Sequence, residues 1–362
     1  MGNKIQSTAI RLTSPQNFEE KTLEVDLKPN FVAVEPTLAS ICHADIRYYT
    51  GDRRKDALKN KLPMALFHEG IGKIVKSNNS KDRVGEKVVI IPNIPQYMLE
   101  QKPKSTCCSS CASGNPDNYC EGGVFLGSGY DGIGQSRLIL PRQNFLTIPK
   151  NIPDEIAVLT ELCSVSLHAI KQIKSLNVSQ QKVAVFGDGP VGFLTALMLR
   201  FYSKVPKERL TIFGTTKNKL QQFDFAETHL IYDFDFKNSS EFTVAFECTG
   251  GKFSESAINQ AIDLISRKGK LVLLGVTEDR VPINTRDVLE KGIEISGSSR
   301  SGYNEFDILM DILQNKELQA ELKKLLPEKP IEVNGSQDLT KIMDKVVANK
   351  EWKKFNLLFN WE

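Results

Sequence analysis

The apolar run Lys182-Val183-Ala184-Val185-Phe186 leads directly into Gly187-Asp188-Gly189-Pro190-Val191-Gly192, and residues 193–200 continue as a good helix. Strand, glycine turn and helix in that order admit few folds, because together they open a βαβ unit that carries a dinucleotide fingerprint. Gly187 makes the tight turn, Gly189 lets the backbone approach a pyrophosphate, and Gly192 lets helix and strand pack closely. Pro190 and Val191 lie between them, where unpaired helix N–H groups face the phosphates. A bare glycine turn is the plainer reading, but the pattern downstream argues against it. Apolar segments at 183–186, 210–213, 244–248, 271–274 and 293–295 alternate with helical stretches, which predicts an α/β architecture with a parallel, doubly wound sheet.

The second strand of that sheet selects the cofactor. NAD sites commonly place an acid about 20 residues beyond the glycines to hold the ribose 2′-hydroxyl. Here the strand at 209–213 ends in Gly214-Thr215-Thr216-Lys217, with no acid. A small residue followed by hydroxyls and by Lys217 or Lys219 suits a 2′-phosphate, so the expectation is NADP(H). On the plainer reading these lysines begin a solvated helix.

Residues 5–150 read differently, as short β segments at 31–34, 72–75, 87–91 and 136–140 broken by Gly, Pro and Asn. Within them, Cys42 offers a thiolate and His68 an imidazole, and Glu69 or Glu161 offers a carboxylate. A catalytic zinc needs about three such protein ligands and an open position. Taken singly, each has an ordinary structural explanation. Four of the seven cysteines, Cys107, Cys108, Cys111 and Cys120, cluster in one short stretch. In a reducing compartment that pattern points to metal rather than to a disulfide framework. The tail after Ser298 shows helical patterns near 305–314 and 338–348 and ends in a β-like run at 355–359 that is expected to return to the first domain.

The balance of 47 basic and 44 acidic residues, net +3, suggests neither a nucleic-acid nor a membrane surface. No apolar run approaches the roughly 18 residues of a membrane span, and the start lacks a signal peptide, so the expected location is cytoplasmic. Gly2 invites an acylation reading, but Gln6 stands where that motif wants Ser or Thr.

The segments Ile41-Cys42-His43-Ala44-Asp45, Phe67-His68-Glu69-Gly70-Ile71-Gly72, the cysteine cluster, Glu161 within residues 161–169, and Gly187 to Gly192 occur in this order along essentially the whole chain. Together they resemble the medium-chain zinc-dependent alcohol and polyol dehydrogenase family, and Glu161 in place of a cysteine resembles its sorbitol and polyol branch. The resemblance implies a GroES-like irregular β catalytic domain (1–154 and 299–362) and a Rossmann cofactor domain (155–298). It also implies a catalytic zinc held by Cys42, His68 and Glu69 or Glu161, with Asp45 orienting His68, His43 near the cofactor phosphates, and a homo-oligomer, dimer or tetramer.

More narrowly, it implies NADPH-dependent reduction of D-ribulose 5-phosphate to D-ribitol 5-phosphate for ribitol-containing wall or capsule polymers, with a cytidylyltransferase partner acting on the product. Arg47 and Arg300 are the candidate partners of the substrate phosphate, drawn from a wider set that includes Arg53, Arg54, Lys55, Lys59 and Lys61.

The chain departs from the family pattern in three places. Phe67 replaces a glycine and is expected to reshape the pocket floor. Ala44 replaces the hydroxyl that begins the proton relay. Ser105 stands at the first position of the second zinc site, whose family spacing is C-x2-C-x2-C-x7-C, while Cys107 sits beside Cys108 and the last gap is one residue longer. Two rival functions follow from the sequence: a dehydrogenase of a non-phosphorylated polyol or alcohol, and a silent NADPH-binding protein that lost its relay with Ala44. Cys42, His68 and Glu161 together argue against a zinc-free quinone reductase.

Overall fold

The computed structural model describes residues 4–174, 176–239, 241–349 and 352–361, so Gly2 lies outside the described residues. The chain divides into two compact units: 1–161 with 301–315 and 325–362, and 162–300 with 316–324.

The first unit is built on antiparallel strands. Its larger sheet runs in the order Phe145–Thr147, Lys87–Ile90, Glu69–Ser77, Phe31–Ser40, Asn356–Phe359, Ile331–Val333, with Leu138–Pro141 also paired to Phe31–Ser40. Buried side chains from both ends of the sequence, among them Ile10, Leu66, Phe67, Val88, Leu140, Leu357 and Phe359, form one core.

Three strands meet where the candidate ligands sit. Phe31–Ser40 places Ser40 opposite Glu69 on one side and opposite Asn356 on the other. The next residue, Ile41, donates its N–H to Phe355 O at 2.9 Å. Cys42 therefore leaves the sheet beside the start of Glu69–Ser77 and beside the returning tail. It caps the helix His43–Thr50, which stops at Gly51 in the left-handed region (φ 82°). The tail helix Ser336–Ala348 packs on this helix, and Tyr49 Oη donates to Asp344 Oδ1 at 2.6 Å.

The second unit holds a six-stranded parallel sheet in the order Glu227–Leu230, Leu210–Gly214, Lys182–Phe186, Phe242–Glu247, Ile265–Leu273, Glu294–Gly297. The two middle strands, Lys182–Phe186 and Phe242–Glu247, mark the point where strand order reverses, which is where doubly wound sheets bind dinucleotides. Residues 316–324 of the tail belong to this unit, because the helix Lys316–Leu322 buries Leu318 and Leu322 and packs on the helix Pro190–Phe201. Lys324 Nζ adds two bonds of 3.0 Å to Asp224.

Candidate active site

Cys42, His68 and Glu69 converge: one ligand atom from each lies within 4.8 Å of the others. Thiolate, imidazole and carboxylate form a donor set suited to zinc. His68 Nδ1 is buried without a hydrogen-bond partner and lies 3.9 Å from Asp45 Oδ1. The site's electrostatics are those of a place prepared for a cation. Burial pushes the Cys42 thiol up, and the Glu69 carboxylate adds to that. Burial alone would lower His68, yet Cys42 and Asp45 hold its imidazole well above the ordinary value.

Asp45 organises both ligand segments. It sits in the first turn of its helix, fully buried, and accepts the Cys42 N–H at 2.8 Å and the Phe67 N–H at 3.1 Å. One carboxylate thus ties the residue before His68 to the helix start that carries Cys42. Glu161, in the first turn of the helix Thr160–Lys171, is buried but outside the compact set. Burial pushes its carboxyl up to about 7; His68 pulls it back and Glu69 raises it further.

Lys354 belongs to the site without any sequence signal pointing to it. Its ammonium is buried, lies 2.9 Å from Glu69 Oε2 and donates to Oε1 at 3.2 Å. No motif marks it, because the returning tail alone brings it 285 residues along the chain to its partner. His43 is exposed at the helix start, and its imidazole is pushed down by desolvation and then by Arg47, Lys354 and Arg53.

Phe67 does not form a pocket floor. Its backbone is left-handed (φ 74°), a conformation in which glycine is the unstrained residue, and its fully buried ring packs 6.2 Å from Phe359 in the core.

The four clustered cysteines also meet, with one sulfur each inside a 4.8 Å set, and Cys107 Sγ lies 3.8 Å from Cys120 Sγ. Cys108 caps the short helix Ser109–Ala112, and backbone N–H groups of Cys111 and Glu121 draw its thiol down to about 7. Burial raises Cys111 and Cys107. An all-sulfur set of four fits zinc. Cys107 supplies the fourth sulfur, while Ser105 stays exposed in the turn Lys104–Thr106.

In the second unit, Gly187 adopts φ 132° and Gly189 caps the helix Pro190–Phe201, with Pro190 and Val191 in its first turn. A Cβ on Gly192 would fall 2.0 Å from Gly187 O, whereas one on Gly189 would meet open space. Gly192 is therefore needed for packing and Gly189 leaves the turn open for a ligand. At the end of Leu210–Gly214, Asp188 Oδ2 accepts the N–H groups of Thr215 and Thr216, each at 2.8 Å. An acid thus does reach the end of the second strand, supplied from inside the glycine motif. Lys217 is exposed and Lys219 half-buried in the following turn of helix. Arg47 lies on the Cys42 helix, and Arg300 closes the second unit in a left-handed conformation (φ 60°).

Residues 28–150 match the alcohol dehydrogenase GroES-like domain, and 209–315 match the zinc-binding dehydrogenase domain. The chain is 37% identical over 346 residues to ribulose-5-phosphate reductase 1 of Staphylococcus aureus, covering 95% of this chain and 96% of that protein. It is 38% identical over 304 residues to the ribulose-5-phosphate reductase of Bacillus spizizenii, covering 84% of each. Superposition on S. aureus TarJ in complex with NADPH gives a TM-score of 0.81 at 33% identity, over 99% of this chain and 100% of that one.

Proposed function

Because the chain belongs to the zinc-dependent medium-chain alcohol dehydrogenase family, with a GroES-like domain and a Rossmann domain, we propose that it reduces D-ribulose 5-phosphate to D-ribitol 5-phosphate with NADPH. The observation that carries this reading is the 37% identity to a ribulose-5-phosphate reductase along 95% of the chain. The convergence of Cys42, His68 and Glu69 supports it, since a silent binding protein has no use for a half-buried thiol beside an imidazole and a carboxylate. The product feeds ribitol-containing wall or capsule polymers. The enzyme works as a homo-oligomer in the cytoplasm, with a cytidylyltransferase consuming its product. Among the described residues no helix is long and apolar enough to cross a membrane.

Cys42, His68 and Glu69 would hold zinc, and Gly187, Gly189 and Gly192, with Thr215, Thr216, Lys217 and Lys219, would receive NADPH. When bound, zinc supplies a Lewis acid and NADPH the hydride. The chain's own residues supply the rest. Asp45 fixes the spacing of two ligands through the Cys42 and Phe67 N–H groups. Lys354 neutralises Glu69 and limits its freedom to turn. Glu161 is a buried carboxyl able to carry a proton near neutrality, a task for which Ala44 has no hydroxyl.

The test follows loss of the reduced nicotinamide absorbance with D-ribulose 5-phosphate, comparing NADPH with NADH and the phosphorylated sugar with D-ribulose. Rapid loss with NADPH and the phosphorylated sugar is expected. Equal rates with and without the phosphate would favour a general polyol dehydrogenase, and no turnover of any ketose would remove the reading.

A further inference from the structure

The helix that begins at Cys42 carries a second constellation near its far end. Tyr48 is buried, and its hydroxyl lies 3.2 Å from Ser128 Oγ. Lys61 Nζ donates to the same Oγ at 2.9 Å. The Arg53 guanidinium lies 4.6 Å above the Tyr48 ring, and Lys61 Nζ is 5.9 Å from that ring. Two cations and two hydroxyls therefore share one spot, and among the described residues Lys61 forms its hydrogen bond with Ser128 and no ion pair with a carboxylate. Asp52 is the acid that bears on this helix end, and it accepts the Thr50 hydroxyl at 2.8 Å.

The constellation adjoins the candidate ligands within the same unit. Phe125, on the segment that leads to Ser128, has its ring 5.2 Å from that of His68. A Cβ on Gly127 would fall 3.0 Å from Phe67 N, so the Ser128 loop lies directly on the backbone that leads into His68. From Cys42 to Tyr48 is about 9 Å of helix axis, and helical side chains lean back toward the N-terminus. That span suits a five-carbon chain with a carbonyl near one end and a charged group at the other.

We propose that Lys61, Arg53, Tyr48 and Ser128 form the site for the phosphate monoester of the substrate, holding one end of the sugar while its carbonyl end faces Cys42, His68 and Glu69. The inference rests on the ketose-phosphate reading of the preceding section and adds the residues that impose it. A compact dianion matches a guanidinium fork, an ammonium and two rotatable hydroxyls. The positive potential already acts on the protein's own groups. Burial raises the Tyr48 phenol, but the bonds to Ser128 and Lys61 and the charge of Arg53 more than offset it, leaving it below its ordinary value.

The experiment compares Lys61→Met, Arg53→Met and Ser128→Ala with the parent in kcat/KM for D-ribulose 5-phosphate and for D-ribulose, after thermal melts establish that each variant is folded. The ratio of the two constants is expected to fall roughly 10- to 100-fold in each cation variant, the loss that one charge-assisted hydrogen bond implies. Lys61→Arg should recover most of it. Parent-like ratios in folded Lys61→Met and Arg53→Met would overturn the site while leaving the reaction intact.

If the parent turns over no ketose phosphate, the functional reading fails by itself, and titration with inorganic phosphate then decides the site. Binding by the parent that is weakened at least tenfold in Lys61→Met upholds it. Equal binding in both, or none in the parent, overturns it.

Discussion

Replacing Lys354 by Met removes the ammonium that pairs with Glu69, whose side chain is fully buried (0% exposed, against 8% for Lys354). At 2.9 Å, with an effective dielectric constant of about 20, the pair is worth roughly 6 kcal/mol before desolvation is counted. Truncating one partner of such a pair costs about 3–5 kcal/mol, because the other charge is left buried alone. Zinc changes the sum, since a divalent cation held by Glu69 replaces the lost ammonium. The loss should therefore be large in chelator-treated protein and fall below about 1.5 kcal/mol, the net worth of an ordinary hydrogen bond, with zinc present. Both tryptophans of the chain, Trp352 and Trp361, belong to the first unit, and Trp361 stacks on Phe359 at 4.9 Å, so selectively excited tryptophan fluorescence during urea unfolding reports on this unit. With about 1–3 kcal/mol per molar urea, a loss of about 3–5 kcal/mol should lower the metal-free midpoint by roughly 1–5 M. An equal drop with and without zinc, or a metal-free shift under about 0.5 M, would refute the reasoning.

Three further outcomes are expected. Glu161 has its carboxyl raised from 4.5 to about 7, so the native state binds that proton more tightly than the unfolded chain. Metal-free stability should then decline by roughly 3 kcal/mol between pH 4.5 and 7, and Glu161→Gln should flatten that decline in urea midpoints taken across the range. Elemental analysis should find one zinc fewer per chain in Cys107→Ser and no change in Ser105→Ala; the reverse would restore the family's usual ligand position. Asp188→Asn keeps an acceptor for Thr215 and Thr216 but removes a charge beside the expected 2′-phosphate, so the NADPH-over-NADH preference in kcat/KM should rise roughly tenfold, and a fall would place the phosphate elsewhere.

Local signals carried the parts of the fold that are local. The strand, turn and helix around Gly187–Gly192 are fixed by neighbours in sequence, and the parallel direction of the strands follows from their alternation with helices. Cys42 and His68 were visible because the motifs around them are short and specific. Lys354 was not: a lysine in a polar stretch reads as surface until the pairing of Asn356–Phe359 with Phe31–Ser40 turns it inward. Asp188 is not legible as that acid because the motif places one forward along the chain, whereas the structure brings Asp188 across from the neighbouring strand end. Phe67 is illegible for a related reason, since the backbone twist that suits glycine there turns its fully buried side chain into the core. The helix Lys316–Leu322 shows the same limit, for nothing in its pattern says which of two cores receives Leu318 and Leu322.

The late arrival of Lys354 bears on biosynthesis. Glu69 leaves the ribosome 285 residues before its counterion does, an interval of about 15–60 s at ordinary elongation rates. Throughout that interval the nascent chain presents a thiol, an imidazole and an uncompensated carboxylate with no ammonium to compete for them. Metal capture during translation and metal capture by the finished protein are thus different events, since only in the second does an ammonium stand against Glu69.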